Sequence, residues 1–237
     1  MPMTRCFNHR SGLKMSMNFF DVENDARRAF DTLMAGGAAI IPTYVGYAIV
    51  GISEEAIDRT FVAKRRKKGK LHAFTGSPEL HDSLQILDDK TRRVIRSIWQ
   101  EAGLTVGCVA PAQIDHPMIQ KLPEAIRSQS IKDGTIAMLL GAGPFLDVLG
   151  RLSYENQIPI IGSSANVTQQ GVKFRVEDIE PEVIAAADLV IDYGLMRWAS
   201  YNFSSTMIDF RDYSVVRNGA CFDLLQDLLR RQYNIEI

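Results

Sequence analysis

Apolar positions along the chain recur at two different spacings, and the changes from one to the other mark the elements. Val22, Ala26, Ala29, Phe30, Leu33 and Met34 fall at three- and four-residue intervals and predict a helix over 21–35, stopped by Gly36-Gly37. A short apolar run over 38–41, ending at Pro42, predicts a strand. Ser53 stands where it caps a helix that turns Ile57 and Phe61 inward, and Ser77-Pro78 opens another with proline in its first turn. Val94, Ile95, Ile98 and Trp99 predict a helix over 91–101 with Gly103 as terminator. Buried strands are expected over 71–74, 104–110, 135–140, 158–161 and 189–191, and helices over 144–154, 183–187 and 223–233. Alternation on both sides of Arg211-Asp212 predicts a hairpin from 205–210 and 213–217. Strands and helices alternating early, with a hairpin late, give the α/β class: a mixed parallel and antiparallel sheet flanked by helices. We expect a single domain over 19–237, preceded by a polar, flexible arm over 1–18.

Composition changes this picture little. Apolar residues make up 46% of the chain and charged ones 23%, which fits a globular protein. No apolar run has bilayer length, so no membrane partner is expected. Arg5, Arg10 and Lys14 are not followed by an apolar segment, which argues against a secretory signal. Cys6, Cys108 and Cys221 are odd in number and far apart, so no disulfide framework is expected and a cytoplasmic location follows. His9, His72, His81 and His116 have no ligand spacing, and no metal site is expected.

Charge is more informative. The net charge is −1, yet six of the seven residues from 64 to 70 are basic, so the positive field is local. Such a field collects phosphate-bearing ligands. Four segments put small polar or basic groups at strand ends, where open α/β sheets bind ligands. Pro42-Thr43 exposes a hydroxyl and backbone amides after a strand. Lys64 and Arg66, two apart in an extended segment, point to one side and converge on one anion, lysine as a point charge and arginine as a bidentate fork. Ser163-Ser164-Ala165-Asn166 follows the strand at 158–161 and lets a ligand approach the backbone. Ser204-Ser205-Thr206 precedes the hairpin, with Arg217 across from it. Together they describe a hydroxyl-lined, cationic pocket for an anion such as a nucleoside triphosphate. The chain has no Gly-x-x-x-x-Gly-Lys-Ser/Thr loop, no Gly-x-Gly-x-x-Gly after a strand and no Gly-x-Ser-x-Gly elbow, which disfavours a hydrolase.

In order and spacing these segments resemble the YrdC-like family, the threonylcarbamoyl-adenylate synthases of tRNA modification. The family pattern of Pro-Thr-Asp/Glu-Thr-x-Tyr-Gly-Leu, Lys-x-Arg, Ser-x-Asn, Ser-Thr-x-x-Asp and a late Arg-x-Gly is met by residues 42–49, Lys64-Arg65-Arg66, Ser164-Ala165-Asn166, residues 205–209 and Arg217-Asn218-Gly219. The resemblance spans about 35–219. Departures are equally specific: Tyr44 replaces the acidic residue, Ala48 the glycine after the motif's tyrosine, and residues 101–105 the Pro-Gly-Pro-x-Thr segment. A Val-Arg-x-Pro strand aligns with residues 137–140, which leaves Met138 in place of its arginine.

The resemblance implies a twisted sheet with a concave cationic face that uses ATP, bicarbonate and L-threonine or a related amino acid. It assigns Lys64, Arg66, Ser164 and Asn166 to catalysis, Thr43, Ser163, Ser205, Thr206 and Arg217 to the nucleotide, and Tyr44, Tyr47 and Thr105 to the amino-acid substrate. Magnesium would arrive with the nucleotide. The carbamoyl-adenylate product would pass to a tRNA-modifying partner protein. The departures keep a second reading open, a non-catalytic YrdC-like binder of nucleotide, tRNA or double-stranded RNA, since an A-form helix is recognised through phosphates and shape.

Overall fold

Amphipathic spacing accounts for the helices. In α1 (Val22–Met34) Ala26, Ala29, Phe30 and Leu33 are buried, Asp21 caps the start by accepting from the Asn24 N–H, and Gly36 at φ +86° turns the chain away. A computed structural model describes residues 20–66 and 71–237. The arm expected over 1–18, and Lys67, Lys68 and Lys70 of the basic run, lie outside the described residues. No helix among the described residues is long and apolar enough to cross a membrane.

After α1 come β1 (Ala39–Ile41), β2 (Ala48–Gly51), α2 (Glu54–Ala63), β3 (Ala73–Thr75), α3 (Pro78–Leu84) and α4 (Asp89–Arg96). Next are β4 (Val106–Pro111), α5 (Pro117–Gln120), α6 (Glu124–Ser128), β5 (Ile131–Lys132), β6 (Thr135–Leu140), α7 (Pro144–Glu155) and β7 (Ile161–Ser164). The chain ends with α8 (Pro181–Ile184), β8 (Leu189–Val190), β9 (Met207–Asp209), β10 (Ser214–Arg217) and α9 (Phe222–Tyr233). The strands form one mixed sheet in the order β10-β9-β4-β6-β3-β7-β2-β1-β8, with β5 on β6. The α/β class and the flanking helices agree with the sequence reading.

Strand alternation divides the centre of this sheet into two faces. Val106, Cys108 and Ala110 of β4 and Ile136, Met138 and Leu140 of β6 are buried in the largest apolar cluster, with Leu80, Ile95 and Ile98. Gly107 and Val109, and Thr135, Ala137 and Leu139, line an open cleft instead. Beyond it α1 packs on α7, and Phe30, Leu33, Phe145 and Leu149 form a second cluster with Ile41 and Val50.

Four readings change. The strand expected over 158–161 runs over Ile161–Ser164, because Gly162, Ser163 and Ser164 pair antiparallel with Val50, Ile49 and Ala48. That partner, β2, escaped the sequence reading because it follows β1 through a tight turn inside the Pro-Thr motif, with Gly46 at φ +116°. The helix expected over 91–101 is α-helical only to Arg96 and continues as one wide π turn over Ser97–Glu101, where the Ala102 N–H bonds the Ser97 carbonyl. Short β5 also went unread, although Asp133-Gly134 between paired Lys132 and Thr135 is a two-residue hairpin signal, with both residues at positive φ.

Close packing sets one stability test. A Cβ on Gly76 would lie 2.2 Å from the Leu139 carbonyl oxygen and 2.5 Å from Leu140 Cδ2, between β3 and β6. Gly76→Ala should lower unfolding free energy by about 1–3 kcal/mol, the usual range for overpacking. Urea denaturation measures this, and an unchanged midpoint would refute the packing described.

Candidate functional site

Cations reach the cleft from two sides of the sheet. On one side α2 ends at Lys64, a C-cap in the right-handed helical region, and Arg65 follows in the left-handed region at φ +49°. The extended conformation expected for Lys64 and Arg66 is therefore not found. Both side chains still turn toward the sheet, because the helix end folds back over β7. Lys64 is buried, and its ammonium donates to Ser163 Oγ at 2.7 Å and to the Ser164 carbonyl oxygen. Arg65 pairs with Glu182 at 2.9 Å, away from the cleft. Arg66 donates to the Leu71 carbonyl at 2.6 Å and lies over the Phe61 ring.

On the other side the hairpin of β9 and β10 supplies Arg217, whose guanidinium donates to the Ser205 carbonyl at 2.8 Å and to Ser205 Oγ at 3.1 Å. Burial lowers the guanidinium pKa of both Arg66 and Arg217 from its ordinary value, so an anion that offsets the desolvation would be favoured there. Asp209 accepts two side-chain N–H groups of Arg211, which holds its carboxyl below the usual carboxylate range. Lys132 and Asp133 of the β5–β6 hairpin stand between these sides.

The cleft they border has a volume of about 380 Å³, within the usual size range of small-molecule sites. Among the described residues its cations are Arg66, Lys132, Arg211 and Arg217, and its carboxylates Asp133 and Asp209. Of the residues singled out in the sequence, it brings together Thr43, Tyr47, Arg66, Ser163, Ser164, Ser204, Ser205 and Arg217. Thr43 Oγ1 donates to the Gly46 carbonyl at 2.5 Å and so shapes the β1–β2 turn. The Tyr47 ring is buried; its hydroxyl lies 2.9 Å from both Asp192 Oδ1 and the Gly194 carbonyl, and burial raises its pKa.

The others lie beside the cleft. Asn166 is buried, its amide donating to the Val167 carbonyl at 2.6 Å, while its Oδ1 is enclosed without a partner among the described residues. Thr206 Oγ1 donates to the Ala220 carbonyl and Thr105 Oγ1 to the Gly141 carbonyl, at 2.9 and 2.7 Å. The Tyr44 ring packs on Gly143 and under the Arg197 guanidinium, 4.9 Å from the ring centre. Met138 also borders the cleft, but it is fully buried and packs in the main apolar cluster. The cleft-facing residues of β6 are Thr135, Ala137 and Leu139, none of them cationic. His72, Lys132, Asp133, Asp209 and Arg211 line the cleft and were not singled out. Asp209 had a signal, as the last residue of the Ser-Thr-x-x-Asp motif, whereas His72 is one polar residue in a short apolar run.

Comparison with known proteins decides the lineage. A family model for Sua5, YciO and YrdC proteins, described as "Telomere recombination", matches residues 31–219. The chain belongs to this family. No curated protein matches it significantly. Among solved structures, YrdC-like neighbours share the fold. The hypothetical protein smu.1377c from Streptococcus mutans UA159 superposes with a TM-score of 0.71 at 21% identity, over 89% of this chain and 92% of that one. P. abyssi Sua5 complexed with L-threonine gives 0.62 at 22% identity, over 83% of this chain and 54% of its own. Full-length HypF in its phosphate- and nucleotide-bound form gives 0.61 at 17%, over 84% and 29%. This chain thus spans about half the length of Sua5 and under a third of HypF.

The corrected faces of β6 separate two arginine substitutions. Met138→Arg would bury a charge without a partner and should cost about 3 kcal/mol or more, giving a poorly folded product. Ala137→Arg points into the cleft and should leave the melting temperature within a few degrees of the parent. Thermal unfolding of both variants checks this, and equal stability would refute the assignment of faces.

Proposed function

We propose that the cleft binds ATP and that the protein is a nucleotidyltransferase-type synthase forming a carbamoyl-adenylate from ATP, bicarbonate and an amino acid, within tRNA threonylcarbamoyladenosine modification. The observation that carries this reading is that Arg66, Arg217, Thr43, Ser163, Ser164 and Ser205 all line one cleft. In the proposed reaction the amino group takes up carbon dioxide derived from bicarbonate and becomes a carbamate. A carbamate oxygen then bonds to the α-phosphorus of ATP, the bond to the bridging oxygen breaks, and pyrophosphate leaves. Two anions must be brought together, so the work falls on charge neutralisation and positioning rather than on strong acids or bases. Arg66 and Arg217 suit the phosphates, and the serine hydroxyls suit the α-phosphate and carbamate oxygens. Magnesium would come bound to the nucleotide. Sua5 with L-threonine and HypF with phosphate and nucleotide support the choice of ligands, carried here by shared fold and family.

One observation favours a second reading, a non-catalytic nucleotide or double-stranded RNA binder: Thr135, Ala137 and Leu139 give β6 no cation on its cleft side. The same observation, with Tyr44 outside the cleft, favours an acceptor other than threonine.

Pyrophosphate release from ATP and bicarbonate, measured across a panel of amino acids, tests the catalytic reading. We expect at least one amino acid to support release, with L-threonine weak, below about 1 per second. Arg66→Met should weaken ATP binding by about 10- to 100-fold, as loss of charge-assisted hydrogen bonds predicts. ATP binding without release for any amino acid would leave the binder; no ATP binding would overturn both.

A further inference from the structure

His72 is a polar side chain of the cleft for which neither the family pattern nor the proposed chemistry has a use. It precedes β3, with its backbone N–H fixed to the Gln129 carbonyl at 2.8 Å and its ring 4.8 Å from that of Phe61. The residue is 5% exposed, and both ring nitrogens are enclosed without a hydrogen-bond partner among the described residues. A neutral imidazole carries one donor and one acceptor, so leaving both unmatched is costly.

Among the described residues, the charged groups that act on the ring are cations. His72 borders both the cleft and a side chamber of about 10 Å³, which Lys64, Arg66 and Ser163 also line. The Arg66 guanidinium lies over the Phe61 ring, 5.3 Å from its centre, and its Nε is enclosed without a hydrogen-bond partner among the described residues. From α2 and the residues after it, His72 faces Lys64 and Arg66; from β7 it faces Ser163; from β2, β3 and the α6–β5 connection the neighbours are uncharged. Of the carboxylates that line the cleft, Asp133 sits on the β5–β6 hairpin and Asp209 is engaged by Arg211. Burial first, and then the fields of Arg66 and Lys64, hold the imidazole neutral, with its pKa lowered to about 4.

An anion is the ligand that reverses this balance. We propose that His72 and Arg66 form a proton-linked oxyanion subsite of the cleft, in which a phosphate group binds beside Arg66 and His72 takes up a proton as it binds. The subsite rests on the nucleotide reading and deepens it. The added negative charge offsets the repulsion from Arg66 and Lys64, at short range and in a site of low dielectric, where such terms are large. The proton comes from solvent, no covalent bond changes, and the imidazolium supplies an N–H donor where the free protein has an unmatched ring. By linkage, binding then tightens as pH falls, because only the complex holds the proton.

The test follows the histidine ring signals by NMR in the full chain between about pH 4.5 and 8, a window that brackets an ordinary histidine pKa, with His72 assigned from its loss in His72→Gln. In the free protein the His72 ring should stay neutral over this range. Saturating Mg-ATP or inorganic tripolyphosphate should raise its pKa by at least one unit, and adenosine, which carries no phosphate, should not. One unit corresponds to about tenfold between the affinities of the two protonation states. From a free value of about 4, calorimetry should accordingly find ATP binding about twofold tighter near pH 5 than near pH 8 for a rise of one unit, and about tenfold tighter for a rise of two, after subtraction of the dependence that remains in His72→Gln from titration of ATP itself. Should that variant fold poorly, His72→Asn replaces it, and the parent titration stands without either. ATP binding with an unmoved His72 would overturn the subsite and leave the nucleotide reading intact. Failure of both ATP and tripolyphosphate to bind would overturn both.

Discussion

A buried ammonium holds the site together. Lys64 closes α2 and is fixed against Ser163 and Ser164 of β7, the strand that joins the β1–β2 hairpin to β3 and the rest of the sheet. Charge-assisted hydrogen bonds contribute about 1.5–3 kcal/mol each, and taking the partners from a buried charge costs about 3–5 kcal/mol. Such a contact fixes the helix end firmly enough to set the path of the next residues. Arg66 borders the cleft two positions later, and both serines of β7 line it. A cation at the C-terminus of α2 also complements the helix dipole. The same lysine that reads as a ligand-binding group in the sequence is therefore a brace first, and whatever it does for a ligand acts through this bound position.

The second constraint is the alternation of β4 and β6. One face of these strands is given wholly to the core, with Cys108, Ile136 and Met138, and the other to the cleft. A one-residue shift in reading β6 exchanges the two faces. This is why the alignment through residues 137–140 put the family's arginine on a side chain that the fold encloses. The cleft floor that results is small and apolar at Gly107, Val109 and Ala137, with its charges at the sides. A ligand with both an uncharged and an anionic part, as in the proposed nucleotide, would meet both kinds of surface.

Much of this was legible in the sequence, for physical reasons. Helices with a full turn of buried positions, such as α1 and α7, are marked by period alone, and the motif order gives the family and with it the sheet. The illegible parts depend on pairing or on direction. Strand β2 lies within a motif whose sequence reads as a binding turn. Ser163 and Ser164 read as a loop because small hydroxyl residues are common in loops, and only their ladder with Ala48 and Ile49 reveals a strand. Thr105, Thr206 and Asn166 match motif positions, yet their side chains bond backbone carbonyls, which spacing cannot foretell. His72 carried no signal, since its distinction is the lack of a hydrogen-bond partner among the described residues.

The central claim is that one cleft, bordered by Arg66 on one side and Arg217 on the other, holds the phosphates of a nucleotide. A crystal structure of the protein with a non-hydrolysable ATP analogue and magnesium tests it most directly. The account predicts the triphosphate in this cleft, with oxygens within hydrogen-bond distance of Arg66 or Arg217 and of the serine hydroxyls of β7. A nucleotide bound at another surface, with the cleft unchanged, would contradict it.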